Sequence, residues 1–349
     1  MPDQKNSPTR AKAVRIKDVA SAAGVSPATV SLVYNNKGEV APETRRKVLE
    51  TGKNLGYRAN PLGRALRTGQ SRILGVLVSY RDSPVWQETY LPYYREIIAD
   101  AAIEAMEHGY SVAAAAPGSR NLEGALANLD GVIVVDPIQD DVIVEYCAAR
   151  GIPLVADGGF VGEKRGEKQI AIRGNVEVYL REILDETARQ FHERTGKKIA
   201  DIRLFTGSVI DRYTADTGRV FTEWCEENQI LPRSTAVSPG DDVNDVARRI
   251  LAENRPEAVY CLNESYSTAV IDAASALGLG IPEDVILSSA ATSTQAKQDP
   301  RVNYIESTDE VSPGKLAVRT LVNFLETGTA QDSTTEYRLR PARRGTVPR

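Results

Sequence analysis

From Ile73 onward the chain repeats one alternation, a short run of β-branched and aliphatic residues followed by a longer stretch with apolar positions at helical spacing. Runs 73–78, 112–116, 132–135, 154–156, 202–205, 258–261 and 285–287 read as strands. Stretches 90–108, 141–150, 176–194, 217–228, 243–253, 265–277 and 313–326 read as helices between them. Strands separated by helices cannot pair as hairpins, so right-handed βαβ crossovers and parallel sheets are expected. Alternation alone permits a single doubly wound sheet or two lobes. In the two-lobed case a second series begins near residues 173–175, and a late strand near 302–305 crosses back.

The residues before this alternation carry a different pattern and a different charge. Residues 1–72 hold fourteen basic and five acidic side chains, a net of +9, leaving −13 on the remainder of a chain whose total is −4. A pI near 5.5 therefore conceals a basic head on an acidic body. In the head, Ile16, Val19, Ala20 and Ala23 recur at helical spacing, and Gly24 ends the run where a positive φ costs little. Ser26 suits an N-cap, Pro27 the first helical position, and Val30 and Val33 an inward face. Two short helices joined by a glycine turn form a helix-turn-helix, whose second helix lies in the major groove of DNA. Pro27, Ala28, Ser31, Leu32 and Asn35 then face outward. Val40, Pro42, Val48 and Leu55 suit a third helix that closes a miniature core and stops at Gly56. Between residues 15 and 72, eleven Lys or Arg oppose four acids, the footprint of a phosphate-binding module.

The segment after the third helix has a marginal character of its own. Asn60 can cap and Pro61 can open a helix running to Arg67. That is under two turns, far below the roughly 12–15 residues at which an isolated helix becomes even marginal in water. Such a segment is expected to order only against a partner.

Ile16-Lys17-Asp18-Val19-Ala20, Gly24-Val25-Ser26, Thr29-Val30-Ser31, Asn35, Val40, Thr44-Arg45, Val48, Leu55-Gly56-Tyr57, Asn60-Pro61 and Ala65-Leu66, followed by the Gly75-Val76 strand, resemble the lactose-repressor and galactose-repressor family of bacterial transcription regulators. The resemblance implies an α plus α/β architecture: a helix-turn-helix headpiece with a hinge helix, then a two-lobed α/β domain like a periplasmic binding protein. The expected divisions are a disordered arm 1–13, the DNA-binding domain 14–58, the hinge and linker 59–71, the effector-binding and dimerisation domain 72–340, and a flexible tail 341–349. A homodimer would present two heads to a pseudo-palindromic operator, acting as a repressor whose affinity a small molecule modulates. Asn60 would cap the hinge helix, and Leu66 would enter between base steps as an apolar wedge. Arg15, Lys17, Thr29 and Thr44 are candidates for positioning on the phosphate backbone, Ser31 and Asn35 for bases or phosphates, and the capping Ser26 belongs to the same DNA-binding set. Pro27, Ala28 and Leu32 cannot make bidentate hydrogen bonds to a purine, so Ala28 and Leu32 are assigned to thymine methyl groups. The same head would also serve an architectural DNA-binding protein that responds to no effector.

Ligands of open α/β sheets bind beyond the carboxyl ends of the strands. That rule selects Tyr80, Arg81 and Asp82, then Asp136, Asp157 and the pair Asn263-Glu264. Trp86, Tyr90, Tyr93 and Tyr94 cluster nearby, suited either to stacking on a ring-shaped effector or to the core. Against the family pattern, Thr217 stands where sugar- and purine-responsive relatives usually carry an Arg four residues before the position of Phe221. Ala290, Ala291 and Thr292 stand where they usually carry an Asp. Arg212 or Arg219 would have to supply the missing charge. The expected effector class is a sugar, a polyol or a derivative.

Composition agrees with this division. The 349 residues are 42% hydrophobic and 26% charged, as in globular proteins with a real core. No apolar stretch approaches a membrane span, and the polar first ten residues lack a secretory h-region, so a cytoplasmic location is expected. Cys147, Cys225 and Cys261 are widely separated and read as buried thiols, while His108 and His192 stand alone. Neither a metal nor a cofactor is expected. The first strand leads into no G-x-G-x-x-G or P-loop, and no G-x-S-x-G is present, which argues against an enzyme.

Overall fold

The computed structural model describes residues 14–34, 38–57, 69–79, 91–115, 122–162, 166–238, 240–290, 299–307, 311–329, 331–335 and 337–342. The chain divides into two compact units, residues 1–71 and 72–349. The first contains α1 (Ile16–Ala23), α2 (Pro27–Tyr34) and α3 (Pro42–Asn54). Its core is Val19, Ala20 and Ala23 from α1, Val30 and Val33 from α2, and Val48 from α3. Gly24 adopts φ 67°, its N–H donating to the Ser21 carbonyl at 3.3 Å and the Val25 N–H to the Ala20 carbonyl at 3.0 Å, which closes α1 and frees the turn into α2. One position departs from the expectation. Leu55 follows the last turn of α3 and is 40% exposed, and Tyr57 packs on the miniature core instead, its ring edge-on to Tyr34 at 5.0 Å.

The second unit has two six-stranded sheets. The first lobe runs β1 (Ile73–Val78), α4 (Leu91–Glu107), β2 (Ser111–Ala115), α5 (Leu122–Leu126), β3 (Gly131–Val135), α6 (Val142–Arg150), β4 (Leu154–Asp157) and β5 (Gln169–Gly174). The second runs α7 (Val176–Thr195), β6 (Ile202–Gly207), α8 (Arg212–Glu227), β7 (Arg233–Val237), α9 (Val243–Asn254), β8 (Ala258–Cys261), α10 (Glu264–Leu277), β9 (Ile286–Ala290) and β10 (Val302–Ser307). The chain then returns to the first lobe with α11 (Pro313–Thr327) and β11 (Ser333–Thr335), and ends in the second with β12 (Tyr337–Arg340).

Strand order is β11-β5-β4-β3-β1-β2 in the first sheet and β12-β10-β9-β8-β6-β7 in the second. Every pairing is parallel except β10 with β12. Parallel strands covered on both faces must be apolar throughout, and β3 and β8 are buried along their whole length. In the first lobe α4 and α11 cover one face, and α5 and α6 the other. In the second, α9 and α10 oppose α7 and α8. The alternation therefore resolves into two lobes, the first crossing falling at Gly174 and Asn175 as expected, while β10 stays in the second sheet and the return follows it.

One helix begins earlier than its apolar pattern suggests. α8 starts at Arg212, not Thr217, because Asp211 accepts the Thr214 N–H at 2.7 Å and the Arg212–Asp216 pair spans the first turn. β7 escaped the sequence reading because its Arg233-Ser234-Thr235-Ala236 is an edge with no apolar run. No helix among the described residues is long and apolar enough to cross a membrane.

Candidate nucleic-acid interface and effector cleft

In the head, α2 is built to show one face and bury the other. The Ser26 hydroxyl accepts the Thr29 N–H at 3.0 Å and shares a hydrogen bond with the Thr29 hydroxyl at 2.9 Å, fixing the start of the helix. Val30 and Val33 point into the core, which leaves Pro27, Ala28 and Leu32 exposed, with Ser31 at the margin. Arg15 and Lys17 are exposed at the start of α1, where the Arg15 N–H donates to Asp18 at 2.7 Å. Thr44 is half-buried on α3, and the neighbouring Arg45 guanidinium reaches the Val33 carbonyl at 3.4 Å, tying α3 to the last turn of α2. Gly52 is required by this packing, since a Cβ there would stand 1.8 Å from the Tyr34 hydroxyl oxygen. Asn35, Asn60 and Leu66 lie outside the described residues, as do Tyr80 and Trp86.

In the second unit, the ends of β3, β4 and β6 bring three carboxylates together. Asp136 follows β3 with φ 47°, and its N–H donates to the carbonyl of Asp157, the last residue of β4, at 2.8 Å. A Cβ on Gly158 would lie 2.5 Å from the Asp136 carboxylate, so the two strand ends are in close contact. From the other lobe, Asp211 forms an isolated bridge with Ile138, and the Gln139 N–H donates to the Ile210 carbonyl at 3.1 Å. The phenols of Tyr94 and Tyr93 approach Asp136 and Asp157 at 3.3 and 3.4 Å. Burial pushes the Asp157 carboxyl up to about 6 against the pull of the Tyr93 hydroxyl and the Gly158 N–H. Asp136 is raised as well, first by burial and then by the charges of Asp211 and Asp157.

The residues around this cluster have fixed duties. Asp141 is 3% exposed, caps α6 through the Ile143 N–H at 2.7 Å and accepts the Ser79 hydroxyl, tying the end of β1 to that helix. Arg212 is turned to Asp216 at 2.6 Å, and Arg173 pairs with Asp332 at 3.8 Å. Asn263 caps α10, its Oδ1 accepting from the N–H groups of Ser265 and Tyr266, both at 3.0 Å, while Glu264 is the first residue of that helix. The Asn263 amide nitrogen, in a residue 2% exposed, has no hydrogen-bond partner among the described residues, and neither has the hydroxyl of buried Thr217. Asp211 was missed by the sequence reading because the helix start had been placed after it.

Residues 15–60 match the family model of bacterial regulatory proteins, lacI family, and residues 188–347 match that of a periplasmic binding protein-like domain. The chain is 27% identical over 296 residues, 77% of its length, to the HTH-type transcriptional repressor PurR of Mannheimia succiniciproducens, covering 79% of that protein. It is also 27% identical over 323 residues to the HTH-type transcriptional regulator CelR of Thermobifida fusca, covering 87% of this chain and 90% of that one. Among solved structures, a lac repressor dimer bound to operator and the anti-inducer ONPF superposes with a TM-score of 0.74 at 21% identity, covering 94% of this chain and 98% of that one. A complex of CelR with cellobiose gives 0.64 at 22% identity, over 95% and 100%. The chain shares its fold with these two solved structures.

Proposed function

The chain belongs to the lacI family of bacterial regulatory proteins and is a DNA-binding transcriptional regulator, and on that premise we propose that it is a repressor acting as a homodimer on a pseudo-palindromic operator, with a small molecule taken up between its lobes. The observation that carries this reading is the division of α2 into a buried Val30/Val33 face and an exposed Pro27/Ala28/Leu32 face, beside the basic residues of α1. The exposed side chains are short or apolar, so direct polar readout of base edges is sparse. Selectivity then rests on thymine methyl contacts by Ala28 and Leu32 and on duplex deformability at Leu66. Arg15, Lys17 and Thr44 hold the head to phosphates, while Ser26 and Thr29 set the helix start.

Whatever factor the effector imposes on operator affinity, the operator imposes on effector affinity. Asp136, Asp157, Arg212, Asn263 and Glu264 are the cleft residues of this reading, together with Tyr80 and Trp86. Selection of bound duplexes from a random pool, with the full chain, tests it. A twofold-symmetric consensus is expected, and Leu32→Arg is expected to change its innermost bases. Recovery of no consensus, or an unchanged one with Leu32→Arg, refutes groove reading by α2.

A further inference from the structure

We propose that the effector is an organic cation, a small molecule with at least one protonated amine beside hydrogen-bonding groups, held between Asp136 and Asp157 of the first lobe and Asp211 of the second. The inference rests on the regulator reading above and names the ligand class of that cleft.

The geometry is asymmetric in charge. Asp136 and Asp157 are joined through backbone at 2.8 Å. The backbone bridge between Ile138 and Asp211 holds Asp211 of the opposite lobe near enough for its charge to act on Asp136, while its carboxylate accepts from the Thr214 N–H at 2.7 Å and hydroxyl at 2.9 Å. Among the described residues no Lys or Arg pairs with Asp136 or Asp157. Arg212 is committed to Asp216 and Arg173 to Asp332. What does face the two carboxylates is phenolic, the hydroxyls of Tyr94 and Tyr93. Asp141 is engaged by Ser79 and the start of α6. A neutral sugar closing this space would strip water from like charges and return no countercharge, which is costly in a low dielectric. An ammonium group returns it, and tyrosine rings suit its carbon-bound periphery.

Two further observations narrow the class. Among the described residues no three acidic, histidine or cysteine side chains are gathered as a set that could hold a metal ion. The buried Asn263 amide points independently to a ligand. Its Oδ1 is turned back to the first turn of α10, and its Nδ2 is left buried at the end of β8 without a hydrogen-bond partner among the described residues. There the Tyr213 hydroxyl, two residues beyond Asp211, binds the Leu262 carbonyl at 2.8 Å, which places Asn263 and Asp211 in one neighbourhood. An unpartnered N–H at that place requires an acceptor, and a hydroxyl or carbonyl of the ligand supplies one. Recognition then has two parts, an amine for the carboxylates and an oxygen for Asn263.

The test uses the full-length protein and matched probes: glucosamine against glucose, and 1,4-diaminobutane against 1,4-butanediol, in thermal-shift and calorimetric titrations at about pH 7.5. At least one amine is expected to raise Tm with concentration while its neutral twin does not, and which one does separates an amino sugar from an aliphatic amine. Asp136→Asn and Asp211→Asn are expected to weaken that amine about tenfold each. Asn tolerates the positive φ of residue 136 and caps α8 as Asp211 does, so both variants should fold, which circular dichroism melts verify. Equal stabilisation by the neutral twins, no response to either amine, or unchanged affinity in both variants overturns the proposal. Operator retardation without ligand is read separately. Its loss in the parent protein would defeat the regulator reading, whereas an operator-binding protein indifferent to amines defeats only the ligand class.

Discussion

Asp157→Asn should make the ligand-free protein more stable at neutral pH and leave it unchanged in acid. Asp157 is 5% exposed at the end of β4, and burial is the largest cause that pushes its carboxyl to about 6. An unfolded aspartate titrates near 3.9, so the native state holds its proton about 2 pH units longer. For a carboxyl raised on folding, stability is lost as pH rises from the unfolded value through the folded one. The cost is absent below about pH 4 and complete above about pH 7. Two units correspond to about 3 kcal/mol, of which asparagine, itself costly to bury, should recover about 2 kcal/mol. For a unit of about 280 residues that is a rise of roughly 3–4 °C in Tm at about pH 7.5. Thermal and urea melts across the pH range measure it. A variant no more stable than the parent at neutral pH means that a countercharge already serves Asp157. An advantage undiminished at pH 4 means that the gain is packing and not charge.

Other outcomes follow from the head. Gly52→Ala would place a methyl 1.8 Å from the Tyr34 hydroxyl oxygen and force that ring off Tyr57, costing about 1–3 kcal/mol; circular dichroism melts should show the loss, and adding Tyr34→Val should recover most of it. Operator affinity should fall by about 0.9 log unit per log unit of salt for each phosphate contacted, and a flat dependence in filter binding would remove the basic head from the interface.

The parts of the fold that were legible in the sequence are those with an unbroken apolar rhythm. β1, β3, β4, β6 and β8 lie inside sheets covered on both faces, so their burial demands continuous hydrophobic runs that announce themselves. β7 and β11 lie at sheet edges with Arg, Ser and Thr, residues that a loop carries as readily. The head was legible because turn chemistry at Gly24, capping at Ser26 and inward valines agree with one another. The Tyr34–Tyr57 contact was not, since it depends on a missing side chain at Gly52 in another helix. In the cleft, Asp136 and Asp157 follow strands with strong signals. Asp211 follows β6 across a short loop and was masked by the polar start of α8, where Arg212, Thr214 and Asp216 give no apolar stripe. Which of these acids meet across the lobes is a property of tertiary closure, which no local pattern encodes.

That closure gives the carboxylates a second consequence. A ligand shifts a conformational equilibrium only by the difference in its affinity for the two states. Asp136 and Asp157 belong to one lobe and Asp211 to the other, so their mutual repulsion opposes the arrangement in which Ile138 bridges Asp211 and weakens when the lobes part. A cation between them removes that opposition, and so does neutralising Asp211. Asp211→Asn without ligand should therefore change operator affinity in the same direction as the amine does in the parent protein, by a factor within the 5–150-fold range typical of coupling between sites, about 1–3 kcal/mol. The amine should then produce little further change in the variant. Quantitative gel shifts on the selected operator, with and without the amine, decide it. A variant that moves operator affinity opposite to the amine would show that repulsion between the lobes is not what the ligand relieves.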